Sequence, residues 1–200
     1  YERTADFLVI EGPKAGGHLG FSREQLKDVE ALDYDQEIKE IIECKKVYEE
    51  KFHTKIPVIV AGGIFDRRDI DHALELGADG VQIASRFVTT AECDAAEEYK
   101  QAYINAKKED IQIIQSPVGM PGRALRNEFI KGLENTRKPI TKCYNCLEKC
   151  DPRSVPYCIT KALIDAVRGD IENGLIFCGE NVDRIHEMTT VHDLMQELCY

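Results

Sequence analysis

Ile56-Pro57-Val58-Ile59-Val60-Ala61-Gly62-Gly63-Ile64, followed by Gly80-Val81-Gln82-Ile83-Ala84-Ser85-Arg86-Phe87, decides the fold. Each stretch opens with a Val- and Ile-rich run long enough for a buried strand and closes on small residues, where backbone must come close to something. Between them the pattern predicts one helix. Asp66 is placed to cap it, Asp69 follows three residues on, Ile70, Ala73 and Leu74 form its apolar stripe, and Gly77 suits its C-terminal stop. A strand, a helix and a strand in this order make a parallel βαβ unit. Small residues just past two successive parallel strands let backbone amides converge on a phosphate, with help from a following helix N-terminus. The plainer alternative is that Gly62 and Gly63 only make a tight turn.

Upstream, Ala5 to Glu11 reads as another buried strand and runs into Gly12-Pro13-Lys14-Ala15-Gly16-Gly17-His18-Leu19-Gly20. A glycine-rich loop with one imidazole, placed after a parallel strand, is where α/β enzymes carry their chemistry. His18 is the leading catalytic candidate, because an imidazole near its ordinary pKa takes and returns a proton without large tuning. The alternative is a loop histidine bonded to nearby carbonyls. Ser22 to Gln25 has capping-box form, and Ile38, Ile41, Ile42, Val47 and Tyr48 mark a helix over 34–52. Thr89-Thr90-Ala91-Glu92 has the same capping form and predicts a helix reaching Ala106. Ile111 to Gln115 is β-prone, and Pro117, Gly119, Pro121 and Gly122 exclude a regular element through the first half of 116–127. Arg123 and Arg126 read either as anion contacts or as members of a salt-bridged loop.

The 200 residues are 43% hydrophobic, enough for a sizeable core. A net charge of −10 argues against nucleic acid or an anionic membrane as partner. No apolar run approaches membrane-spanning length and no signal peptide is present, so a cytoplasmic protein is expected. Of eight cysteines, Cys143, Cys146, Cys150 and Cys158 cluster in a C-x2-C-x3-C-x7-C pattern. That spacing fits thiolate ligation of zinc or an iron–sulfur cluster better than a disulfide framework, and it matches no common consensus for either. Helices are expected over about 156–167 and 191–198, with a short apolar run from Leu175 to Cys178 between them. His53, His72, His186 and His192 lie in polar contexts and read as solvated.

Val9 to Gly20, Val58 to Ile64, Gly80 to Phe87 and Gly119 to Asn127, taken together and in order, resemble the nitronate monooxygenase family, formerly called 2-nitropropane dioxygenases. The likeness runs from about Ala5 to Leu133. It implies an FMN-binding TIM-type (β/α)8 barrel, with His18 as the base that removes the α-proton of a nitroalkane or sits beside a bound nitronate. It further implies oxidation through flavin and O2 to a carbonyl compound and nitrite. The implied flavin contacts are Gly16, Gly17, Gly62, Gly63, Gln82, Ala84 and Ser85. Ile83-Ala84-Ser85 replaces the more usual Met-Gly-Thr, which keeps the small residue and the hydroxyl. The same loop and barrel occur in a flavin-dependent enoyl-acyl-carrier-protein reductase using NAD(P)H, the second reading. The third is an inactive fragment whose cysteines bind metal. Counted backwards, the strands at Phe7, Val58 and Val81 match the sixth, seventh and eighth of the barrel, so residues 1–133 are expected to be its C-terminal portion and 134–200 a cysteine-rich helical tail. The missing N-terminal half is then the expected partner, and the isolated piece is expected to aggregate or form a homo-oligomer without it.

Overall fold

The computed structural model describes residues 5–134, 136–148 and 150–200. Its strands are β1 (Leu8–Glu11), β2 (Gly17–His18), β3 (Val58–Ala61), β4 (Gly80–Gln82), β5 (Ile111–Gln115) and β6 (Pro121–Leu125). Its helices are α1 (Tyr34–Phe52), α2 (Arg67–Glu75), α3 (Ser85–Val88), α4 (Glu97–Ile104), α5 (Glu128–Leu133), α6 (Ile159–Val167) and α7 (Val191–Cys199). The chain is α/β, with a parallel sheet ordered β1-β3-β4 and an antiparallel one ordered β2-β6-β5.

The parallel sheet is the expected one. Leu8 pairs with Val58 and Ile10 with Val60, and on the other side Ile59 pairs with Gly80 and Ala61 with Gln82. One face packs on α1 and α2 through Ile38, Ile42, Val58, Val60, Ala73 and Ala78, with Leu8, Ile10 and Val81 against them. Each fully buried aliphatic side chain there contributes roughly 1.5–3 kcal/mol. Helix α2 begins where its sequence says it must. Asp66 accepts from the amides of Arg68 and Asp69, and Asp69 reaches back to the Asp66 amide. Gly77 ends it at φ +105°. The opposite face of the sheet is open, with Phe7 59% and Val9 44% exposed. Three parallel strands do not close a barrel, and this face is the side a closed one would cover.

Several local expectations are corrected. The Thr89 to Glu92 run caps no helix: the Thr89 and Thr90 hydroxyls donate back to the carbonyls of Arg86 and Phe87, as threonine competes for nearby backbone. Glu92 instead accepts from Val191 N at the start of α7, and the next helix waits until Glu97. Pro117 and Gly119 lie in the turn of a β5–β6 hairpin, and Pro121 is tolerated as the first residue of β6, its carbonyl accepting from Leu19 N. The Ser22–Gln25 box, by contrast, forms reciprocally and leads into a short helix as its form suggests, the 3-10 helix Gln25–Lys27. His72, read as solvated, is exposed yet hydrogen-bonded to Asp35 at 2.8 Å. The apolar run at 175–178 lies against β6, with Leu125 N donating to Ile176 O and Cys178 N to Arg123 O. Among the described residues no helix is long and apolar enough to cross a membrane.

Candidate active site

At the C-terminal ends of the parallel strands lies a cavity of about 340 Å3. Its wall includes Gly16 and Gly17, the Gly62-Gly63 turn after β3, Gln82 at the end of β4, and Ala84 and Ser85. All seven of the flavin contacts implied above therefore meet on one surface. The glycines are required by backbone. Gly62 and Gly63 have φ of +86° and +87°, and a Cβ on Gly62 would stand 2.9 Å from that of Ala15. A side chain at either position is both strained and sterically opposed.

The sequence reading missed the fourth wall. Residues 177–181 return from the C-terminal region to face the two turns. Gly179 N donates to Ser85 Oγ at 3.1 Å, Asn181 Nδ2 to Gly63 O at 2.7 Å, and Glu180 N to Lys14 O at 3.1 Å. The segment thus grips every motif that borders the cavity. Its only signal in the sequence is Gly179-Glu180-Asn181 directly after an apolar run, too ordinary to single out.

The cradle offers a phosphate-bearing group close-approaching turns that a side chain would block, and little net positive charge. Lys14 on the wall is paired with Glu30 at 2.6 Å, and Glu180 with Arg123 and Lys108. Glu11 also lines the wall, its carboxyl held above the usual range by burial. The helix contribution is smaller than expected. The first-turn amides of α2 are already taken by Asp66, and the turn after β4 leads into α3, four residues long.

His18 stands beside this cavity, behind Phe177. Its ring meets the Phe177 ring edge-on with centroids 5.0 Å apart, and Phe177 lines the wall. The loop is fixed by the hairpin: Gly17 pairs with Arg123 and His18 with Gly122. His18 Nε2 is 2.7 Å from Ser116 Oγ, and Nδ1 has no hydrogen bond among the described residues. Burial lowers the pKa of the imidazole below its ordinary 6.5, favouring the neutral, proton-accepting form at pH 7. Behind the loop, buried Arg123 donates from Nη1 to the carbonyls of Pro13 and Ala15 at 2.8 and 2.5 Å and faces Glu180 at 3.2 Å. Arg126 is paired with Glu134 at 2.7 Å. Both arginines are committed to protein partners, which favours the salt-bridged alternative over anion contacts. Tyr103, on the cavity wall, donates to Phe177 O at 2.5 Å and is within 3.3 Å of the Tyr99 hydroxyl.

Cys143, Cys146, Cys150 and Cys158 line a second cavity, of about 250 Å3. Among the described residues, no three His, Cys, Asp or Glu side chains are placed to hold a metal ion. A compact zinc ligand set is therefore not formed as the sequence suggested.

Compared with known proteins, the chain matches the nitronate monooxygenase family model over residues 1–200. It is 28% identical over 204 residues to a probable nitronate monooxygenase of Bacillus subtilis, covering 99% of this chain and 52% of that one. Among solved structures it is similar to FabK from Thermotoga maritima, with a TM-score of 0.68 and 26% identity over 97% of this chain and 53% of that one. A nitroalkane oxidase from Streptomyces ansochromogenes shares the fold, with a TM-score of 0.64 and 24% identity over 97% of this chain and 52% of the other. The chain thus spans about half the length of these proteins.

Proposed function

Because the chain belongs to the nitronate monooxygenase family, we propose that it forms the cofactor-phosphate and proton-transfer half of an FMN-dependent enzyme that oxidises nitronates or nitroalkanes with O2. The observation that carries this reading is the convergence of Gly62, Gly63, Ala84, Ser85 and the 177–181 segment on one cradle beside the His18–Ser116 pair. When bound, FMN supplies the electron acceptor that O2 regenerates. The backbone turns at 62–63 and 84–85 hold its phosphate, and Gln82 and the Gly16-Gly17 loop border it. With Nε2–H donating to Ser116 Oγ, Nδ1 is the nitrogen left to take a proton from a carbon acid. The open face of β1 and β3, bearing Phe7 and Val9, is covered by the preceding strands of a TIM-type barrel, the partner half that brings the rest of the site.

The direct test is nitrite release from propionate 3-nitronate in air by the flavin-loaded protein, assayed in this chain and in a version carrying the preceding barrel strands. Nitrite formed at the rate of flavin turnover supports the reading. A second reading, an enoyl-thioester reductase, is favoured by the likeness to FabK. Flavin reduced by NAD(P)H and reoxidised by an enoyl thioester, without nitrite, would establish it instead.

Two variants test the parts. Gly62→Val forces a branched side chain into a left-handed position already crowded by Ala15 and Gly12, and is expected to weaken FMN binding about five- to thirtyfold, as one to two kcal/mol of backbone strain implies. Flavin-fluorescence titration reads this, with Gly132→Ala in α5 as a control that leaves it unchanged. Ser116→Ala removes the partner of Nε2, and a hydrogen bond worth about 0.5–1.5 kcal/mol corresponds to a roughly two- to tenfold loss of kcat/KM. Unchanged steady-state kinetics in this variant would remove Ser116 from the mechanism.

A further inference from the structure

The C-x2-C-x3-C-x7-C motif has no part in the function proposed above, and the fold collects all four of its thiols. Cys143, Cys146, Cys150 and Cys158 belong to a segment of irregular backbone and to the residue just before α6, and they share the wall of one cavity with Tyr157 and Pro117. From these residues we infer that the cavity is the seat of an iron–sulfur cluster ligated by the four cysteines.

Two observations carry this. The first is the kind of spacing. A single zinc ion draws four sulfurs to about 2.3 Å from one point, and no three candidate ligands among the described residues are arranged that way. An iron–sulfur cluster places its thiolates on different iron atoms, so the ligands stand around a volume rather than a point, and all four cysteines are on the wall of one cavity of about 250 Å3. The second is the Cys143–Cys146 turn. Asn145 adopts a left-handed conformation at φ 52°, and its amide donates to Cys143 Sγ at 3.4 Å. Amide hydrogen bonds to sulfur are how proteins stabilise the charge of cluster thiolates.

The cavity also touches the catalytic neighbourhood. Pro117 on its wall follows Ser116, which holds His18. The cluster thus braces the tail against the loop that orients the candidate base.

The test is iron and acid-labile sulfide analysis of the full chain prepared without oxygen, as isolated and after incubation with ferrous iron and sulfide, with low-temperature EPR after dithionite. About two or four irons with matching sulfide per chain is expected, according to cluster type. Cys143→Ala and Cys158→Ala are each expected to abolish the signal, whereas Cys44→Ala and Cys199→Ala, both at exposed thiols away from the motif, retain it. Zinc in place of iron, or no cluster after reconstitution, or a signal that survives both motif variants, overturns the inference. Flavin released on denaturation is counted separately, so failure of the FMN reading leaves this result legible.

Discussion

His18→Asn is expected to lower nitroalkane turnover by about a hundred- to ten-thousandfold, the range a positioned general base contributes, while the protein keeps its flavin. The reason for the separation is geometric. The cavity proposed to take the phosphate is walled by 62–63, 84–85 and 177–181, and His18 does not line it. Asparagine still offers an amide to Ser116 in place of Nε2, so the loop retains an anchor and only the proton acceptor is lost. Preformed nitronates, which carry no α-proton to remove, are expected to suffer much less than neutral nitroalkanes. Stopped-flow reduction with both substrate forms measures that contrast, and equal losses would assign His18 to binding instead. Because burial lowers the imidazole pKa, the wild-type acid limb of kcat/KM for a neutral nitroalkane is expected below pH 6.5. The base form is present above that limb, and the rate falls as the pH drops through it.

Arg123→Met is expected to be the most damaging single change to stability, at about 3–5 kcal/mol, the cost of removing one partner from a buried ion pair. The guanidinium is 3% exposed and ties the carbonyls of Pro13 and Ala15 to Glu180, whose remaining cation, Lys108, is a longer 3.4 Å away. Methionine matches the volume and restores none of these bonds. Arg123→Lys keeps the charge but not the fork, and is expected to recover only part of the loss. Urea unfolding followed by circular dichroism measures both, and a midpoint within error of wild type for Arg123→Met would show that the hairpin holds the glycine loop without it.

The parallel unit was legible because local signals agreed with one another. Asp66, Asp69 and Gly77 bounded α2, the runs at Val58 and Val81 were strands, and the turns after them were glycine and small residues for a backbone reason seen in the positive φ of Gly62 and Gly63. What stayed hidden was long-range pairing. The antiparallel sheet joins His18 to Gly122, an isolated antiparallel bridge joins Ala124 to Phe177, and no local pattern in a two-residue strand announces its partner a hundred residues away. The Thr89 to Glu92 run misled because a capping box is a pattern of side chains, and here the hydroxyls and the carboxylate found better partners in α3 and α7. Arg123 was visible as a residue but not as a clamp, since its acceptors are main-chain carbonyls.

The wall at 177–181 sets an order of events. Gly179 meets Ser85 across 94 residues and Asn181 meets Gly63 across 118, so the cradle closes through contacts among the most sequence-distant in the chain. A ribosome making this protein releases the βαβ unit and the histidine loop long before the segment that completes them. Until Asn181 has cleared the exit tunnel, the nascent chain carries both glycine turns with one side open to solvent. A chain stopped before Gly179 is therefore expected to lack this wall of the cavity and the contacts that join it to Ser85 and Gly63.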